Sequence, residues 1–177
     1  RLNRLFDKYN EYPDVVNVLT LNLKAAKGPV RVEQSLFDLL KYAKDMYEST
    51  DKLVNIAFGA VLELWHNSRE AAEVDPEVVG PPDMDALLKA NEHVNLDDLV
   101  LNEADTTVFF GDPLMKLDVG ALAKGYAVEM VAKQMLTGEM PSFIINAGGN
   151  VRAGQPPMDG RKNWGVAIQD PDGFVFG

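Results

Sequence analysis

The sequence contains no cysteine, which removes disulfide frameworks, thiolate nucleophiles and zinc ribbons together. Histidine is almost as scarce: His66 and His93 stand in different segments without recognisable partners for a catalytic or zinc pair, so both read as surface or structurally satisfied residues. No apolar run reaches the ~18 residues that a membrane span requires. There is no GxxxxGK[ST] phosphate loop, and Gly148, Gly149 and Gly154 lack the spacing and the following helix of a dinucleotide fingerprint. Positive charge is in short supply, with 17 basic against 27 acidic residues and a net charge of −10. Such a surface repels nucleic acid, and a nucleic-acid function is disfavoured.

What is present is an ordinary globular composition, 46% hydrophobic and 25% charged over 177 residues, enough for one core. The first residue is Arg1, without an initiator Met, and this reads as a chain from which an upstream segment is absent. The stretch SLFDLLKYAKDMYEST carries Leu36, Leu39, Leu40, Ala43, Met46 and Tyr47 at helical spacing, with Ser35 and Asp38 as a capping-box-like start. AFGAVLELWHNSREAAE predicts a second helix with Trp65 in the core. PPDMDALLKANE predicts a third behind an Asp83 cap. A polar, proline-rich surface loop is expected around Glu70–Pro82.

From Asp97 the character changes to short β-branched or aromatic runs, broken by turns at Asn102–Asp105 and Gly111–Pro113. SFIINAGGN reads as a buried strand ending in a tight Gly-Gly turn. NWGVAIQDPDG alternates Trp164, Val166 and Ile168 before a turn at Pro171–Gly173, and FVFG reads as a strand beginning where the chain stops, as in a fragment. Helices come first, about 30–96, and strands follow, about 97–177, with one long helix inserted. The fold class is therefore α+β, without the strict alternation of a doubly wound sheet.

That inserted helix opens with KLDVGALAKGYAVEMVAKQM, residues 116–135. Val119, Leu122, Ala123, Tyr126, Ala127, Met130 and Val131 form one apolar stripe, expected to face the core. Asp118, Ala121 and Lys124 fall nearly opposite. A helix start with a lysine beside it is a plausible anion cradle. A carboxylate repels phosphate, so Asp118 suits a sugar hydroxyl, a heterocycle N–H or a cation instead. The same residues read equally well as a helix cap, a solvated lysine and glycines that permit close packing. No spacing marks an acid–base pair, and the catalytic residues stay unknown.

Taken in order, TDKLVNIAFGAVLELW, LDVGALAKGYAVE, INAGGNVRAG and WGVAIQDP resemble the ApbE family, the FAD:protein FMN transferases, once described as thiamine-biosynthesis lipoproteins. YNEYPDVVNVLTLN resembles the family's N-terminal segment, and the likeness covers nearly the whole chain. It implies an ApbE-like (T-fold-like) domain, helices packed on a mainly antiparallel sheet, of which residues 1–177 are the N-terminal portion.

It further implies an enzyme that uses Mg²⁺ to cleave FAD and joins FMN by a phosphoester to a Thr or Ser of a target flavoprotein, releasing AMP. An FAD pyrophosphatase giving FMN and AMP, or a non-catalytic FAD carrier, are the alternatives. By resemblance, Asp118 and Lys124 are FAD contacts, Leu53, Val54 and Asn55 form a further contact, and Tyr9 or Tyr12 supplies an aromatic one. The carbonyl of Ala121 falls where the family has a magnesium ligand. The family's export as a membrane-tethered lipoprotein implies a lipid anchor on an N-terminal segment and a place at the extracytoplasmic face.

Two departures qualify the likeness. Where the family often has Gly-Ala-Phe-Asp-x-Thr, this chain has Lys52, Leu53, Val54, Asn55, Ile56 and Ala57, without the carboxylate and the hydroxyl. Its sequence also lacks the family's later His-Ile-x-Asp-Pro and Ala-Asp-Ala-x-x-Thr elements, the second of which completes the metal site. The chain by itself is therefore expected to be inactive.

Overall fold

A computed structural model describes residues 1–75 and 80–168. The chain divides into two compact units, Arg1–Ala123 and Lys124–Gly177. The first opens with a short helix, α1 (Leu2–Leu5), and α2 (Val18–Lys24). Asn17 starts α2 with a reciprocal capping box: its side chain accepts from the Thr20 N–H while the Thr20 hydroxyl accepts from the Asn17 N–H. The fully buried Asn17 also donates its amide to the Asn10 carbonyl at 2.7 Å, fastening the preceding loop.

A short strand, β1 (Val30–Arg31), leads into α3 (Gln34–Ser49), which buries Leu36, Phe37, Leu39, Leu40, Ala43 and Tyr47. The predicted period is thus realised, but the predicted capping box is not. Glu33 stands at the N-cap without a side-chain bond, and Asp38 receives the Gln34 amide at 2.8 Å instead. Each Leu buried here contributes about 1.5–3 kcal/mol. Val18 and Leu21 of α2 and Leu99, Val108 and Phe110 are likewise buried.

Helix α4 (Gly59–Val74) runs further than the predicted loop boundary at Glu70, and its only buried residue is Gly59. Trp65, expected in the core, is 40% exposed. Helix α5 (Met84–Asn91) begins as predicted, with the Asp83 carboxylate accepting from the Ala86 N–H at 3.0 Å. Strands β2 (Leu99–Asn102) and β3 (Thr107–Phe110) form the hairpin expected around 102–105, and β1 joins it to give an antiparallel sheet in the order β1-β3-β2.

Helix α6 (Gly120–Thr137) begins at the end of the first unit. In the second unit Val128 and Ala132 are its buried residues, whereas Val131 of the predicted stripe is 41% exposed. Apolar residues run nearly all round this helix, so spacing could not single out its buried face. Strands β4 (Ile144–Ala147) and β5 (Asn150–Ala153) pair in an antiparallel hairpin. Its turn residues Gly148 and Gly149 have φ of 59° and 88°, the paired left-handed conformation that tight hairpins require and glycine adopts freely. The tight-turn reading is thus what the structure shows. The strand is less buried than expected: Phe143 is 6% exposed but Ile144 is 39% exposed.

No strand forms over 164–168, where Val166 and Ile168 are 53% and 95% exposed. Trp164 instead donates its indole N–H to the Gln155 carbonyl at 2.9 Å. The turn predicted at Pro171–Gly173 and the strand FVFG lie outside the described residues. The α+β expectation holds throughout.

Candidate functional site

The segment Lys116–Asp118 enters α6 as extended chain, held from both sides within the first unit. Phe58 and Lys116 form a parallel bridge, and the Gly59 N–H donates to the Lys116 carbonyl at 3.0 Å. A Cβ on Gly59 would lie 2.4 Å from that same oxygen, so glycine is needed for the close approach. On the other side Asn22 acts as a two-way clamp. Its amide donates to the Leu117 carbonyl at 3.0 Å, and its carbonyl accepts from the Leu117 N–H at 2.7 Å.

This framing fixes Asp118. Its N–H donates to the Ile56 carbonyl at 2.8 Å. Its carboxylate accepts from the Gly120 N–H at 2.8 Å through Oδ1 and from Lys8 Nζ at 2.6 Å through Oδ2. The helix-start role read from sequence is therefore real, and an ion pair is added to it. Both side chains of the pair are 15% exposed. Burial works against the Lys8 ammonium, but the hydrogen bond and charge of Asp118 outweigh it and hold the pKa above the ordinary lysine value.

Lys8 and Asp118 line a cleft of about 340 Å³ together with Phe6, Asp7, Tyr9 and Gly120. Of the two tyrosines left open by the sequence, Tyr9 lines this cleft, with Lys8 Nζ 4.9 Å from its ring centroid. Tyr12 turns away: its hydroxyl donates to Asp7 Oδ2 at 2.8 Å, and Arg4 lies 4.6 Å over its ring. Tyr9 also lines a smaller cleft of about 160 Å³ with Glu63, His66 and Lys116, its ring 5.0 Å from that of His66.

The loop carrying Lys8 and Tyr9 is organised by Asp7, whose carboxylate accepts from the Tyr9 and Asn10 N–H groups, the Asn10 amide and the Tyr12 hydroxyl. Burial pushes the Asp7 carboxyl up, yet these donors prevail and hold its pKa below the usual carboxylate value.

Leu53, Val54 and Asn55 adjoin the site through Ile56, the residue that anchors the Asp118 N–H. Leu53 is 86% exposed, and the Val54 N–H donates to the Thr50 hydroxyl at 3.1 Å. Asn55 directs both ends of its amide at backbone, donating to the Val94 carbonyl and accepting from the Ala57 N–H, each at 2.8 Å. Ala121 stands exposed in the first turn of α6.

Lys124 belongs to the second unit, where it is exposed. A Cβ built on Gly148 would lie 3.6 Å from Lys124 Nζ, which places that ammonium against the hairpin turn. The two histidines are satisfied as expected: His66 Nε2 lies 3.1 Å from Glu70, and His93 Nδ1 lies 2.7 Å from Asp112.

Sequence reasoning missed Lys8 and the clamp role of Asn22. Neither carries a local signal, because their partners lie 110 and 95 residues away.

The architecture is that of solved flavin transferases. The ApbE protein of Thermotoga maritima matches with a TM-score of 0.81 at 24% identity, over 99% of this chain and 54% of that one. The flavin transferase ApbE from Vibrio cholerae matches with a TM-score of 0.79 at 22% identity, with the same coverage. At these identities the likeness shows the fold.

The ApbE family model matches residues 1–176, and the chain belongs to the ApbE family. It is 29% identical over 162 residues to an FAD:protein FMN transferase of Klebsiella pneumoniae, covering 84% of this chain and 47% of that protein. It is 32% identical over 165 residues to an FAD:protein FMN transferase of Treponema pallidum, covering 86% and 44%. The chain spans about half the length of the curated relatives it matches.

Proposed function

We propose that this chain is the N-terminal portion of a Mg²⁺-dependent FAD:protein FMN transferase, which moves FMN from FAD to a Thr or Ser of a target flavoprotein and releases AMP. The reading is carried by one observation: the family match over residues 1–176 includes the segment at which Asp118, Lys8 and Tyr9 meet around one cleft. In this reading the acceptor hydroxyl attacks the phosphorus of the FMN half, a new P–O bond forms, the diphosphate P–O bond breaks, and AMP leaves with the electron pair. The hydroxyl proton passes to solvent or to a base that the described residues do not identify.

The chain's own contribution is binding and orientation. Asp118, held from three directions, is fixed before a ligand arrives, which favours reaction by restricting geometry. Tyr9 offers an aromatic face at the cleft, and Lys124, in the second unit, is kept as a further proposed FAD contact. Leu53, Val54 and Asn55 complete the proposed contacts, with Asn55 shaping the backbone of that segment through its two amide bonds.

The described residues do not by themselves fit a Mg²⁺ ion. Among the described residues no group of three or more His, Asp or Glu could hold a metal, and the Ala121 carbonyl is one oxygen where such an ion takes about six. Dependence on Mg²⁺ is proposed for a protein that also has the portion of its relatives this chain does not span. The isolated chain is expected to bind FAD without transferring FMN. Among the described residues no helix is long and apolar enough to cross a membrane. Attachment to the extracytoplasmic face through a lipid anchor is part of the proposal, tested by fractionation of cells that make the intact protein.

The deciding experiment incubates the intact protein with FAD, Mg²⁺ and an acceptor flavoprotein containing Thr or Ser. Transfer gives AMP in step with a covalently fluorescent acceptor. Free FMN and AMP without labelled acceptor would make the protein a pyrophosphatase, and bound, unconsumed FAD would make it a carrier. Absence of flavin after desalting would overturn the whole reading.

A further inference from the structure

The charge at Asp118 raises a difficulty for any phosphate-bearing ligand, since a bare carboxylate repels phosphate. We propose that Lys8 is the positioning residue that removes this repulsion, cancelling the Asp118 charge and fixing the direction of its carboxylate so that a nucleotide diphosphate is tolerated in the cleft. The proposal deepens the flavin-nucleotide reading and rests on it for the identity of the full ligand.

The geometry is specific to this pair. Lys8 Nζ lies 2.6 Å from Asp118 Oδ2, and each side chain is 15% exposed, so solvent screens the pair far less than a surface pair. The carboxylate cannot swing, because its Oδ1 accepts from the Gly120 N–H. Other acids in the neighbourhood do not compete for the ammonium. Asp7 is occupied by donors of its own loop, and Glu63 is paired with Lys116.

Lys8 also lines the cleft with Asp118, so its remaining N–H groups adjoin the space where a ligand would sit. Burial and Asp118 act in opposite directions on the Lys8 ammonium, and Asp118 prevails. The cation is therefore present throughout the neutral range. Lys8 and Asp118 are 110 positions apart, and the pair exists only in the folded chain.

The test measures affinities of the intact protein for FAD, ADP and riboflavin, comparing wild type with Lys8→Met, Lys8→Arg and the Lys8→Met/Asp118→Asn double variant. Loss of the cation alone is expected to weaken FAD and ADP about tenfold, equivalent to about 1.4 kcal/mol, while leaving riboflavin, which has no phosphate, within about twofold. Lys8→Arg should retain most of the affinity, and the double variant should regain ADP binding because both charges are gone. A merely structural role would weaken all three ligands alike, riboflavin included.

Equal losses for riboflavin and ADP, no loss for ADP, or no recovery in the double variant would overturn the proposal. Wild-type protein that binds ADP but not FAD would remove the flavin reading while the ADP comparison still judged Lys8. Binding of neither nucleotide would overturn both.

Discussion

Asn22 offers the sharpest test of how the site is framed. Its side-chain amide makes both a donated and an accepted hydrogen bond with the backbone of Leu117, at 3.0 and 2.7 Å, and Leu117 is fully buried. Asn22→Ala removes both partners at once and strands a buried N–H and a buried carbonyl. Each stranded group costs about 1–3 kcal/mol, so the expected loss for the two is about 2–6 kcal/mol, read from urea unfolding followed by far-UV circular dichroism.

Asn22→Asp separates the two bonds. Its carboxylate can still accept from the Leu117 N–H but faces the Leu117 carbonyl with no proton to donate. The neutral acid can donate there, so the new carboxyl should have a folded pKa above its unfolded value of about 3.9. Its contribution is then complete below that unfolded value and is lost as pH rises through the raised folded one. Relative to wild type, Asn22→Asp should be least damaging near pH 4 and worsen towards neutrality. An Asn22→Ala loss below about 0.5 kcal/mol, or an Asp variant whose deficit is independent of pH, would refute the clamp.

Gly59→Ala should cost at least the 1–3 kcal/mol typical of overpacking, since its Cβ would sit 2.4 Å from the Lys116 carbonyl oxygen and 2.6 Å from the carbon. A variant that melts like wild type would refute the close approach. In the second unit Gly154→Ala faces the Pro141 carbonyl at 2.4 Å and the Phe143 ring at 2.5 Å, and proteolysis of the hairpin should accelerate by tenfold or more. At Asp112, burial pushes the carboxyl up, but the Leu114 N–H and His93 prevail and hold the pKa below its usual value. The stabilisation is therefore present above about pH 4 and lost as pH falls through the depressed value. His93→Ala should flatten this acid dependence, and an unchanged pH–stability curve would refute the coupling.

Local signals in the sequence were legible at several places where a residue's role depends on near neighbours. The α3 stripe repeats every three or four residues, and Asp83 caps a helix beginning at the next position. The Ser35–Asp38 pattern failed because the helix starts two residues earlier than the box needs, with Glu33 at the N-cap, and Asp38 binds Gln34. The strand read over Trp164–Ile168 failed because alternation alone supplies no partner, and Trp164 is held by Gln155 instead.

At the site, Asp118 and its helix junction could be picked out because an acid, two glycines and a lysine (Asp118, Gly120, Gly125 and Lys124) are crowded close together. Lys8 and Asn22 could not, since their partners lie 110 and 95 residues away. Asn55 shows a further limit: the resemblance makes it an FAD contact, while in the fold both ends of its amide are joined to backbone.

The loop around Asp7 has a consequence for the timing of recognition. Four donors converge on one carboxylate, and Asn17 ties Asn10 down from the next helix. The edge that carries Lys8 and Tyr9 thus takes its shape during folding. A ligand reaching it meets a finished surface, so little of the encounter is spent searching loop conformations, and ordering entropy should weigh lightly on affinity.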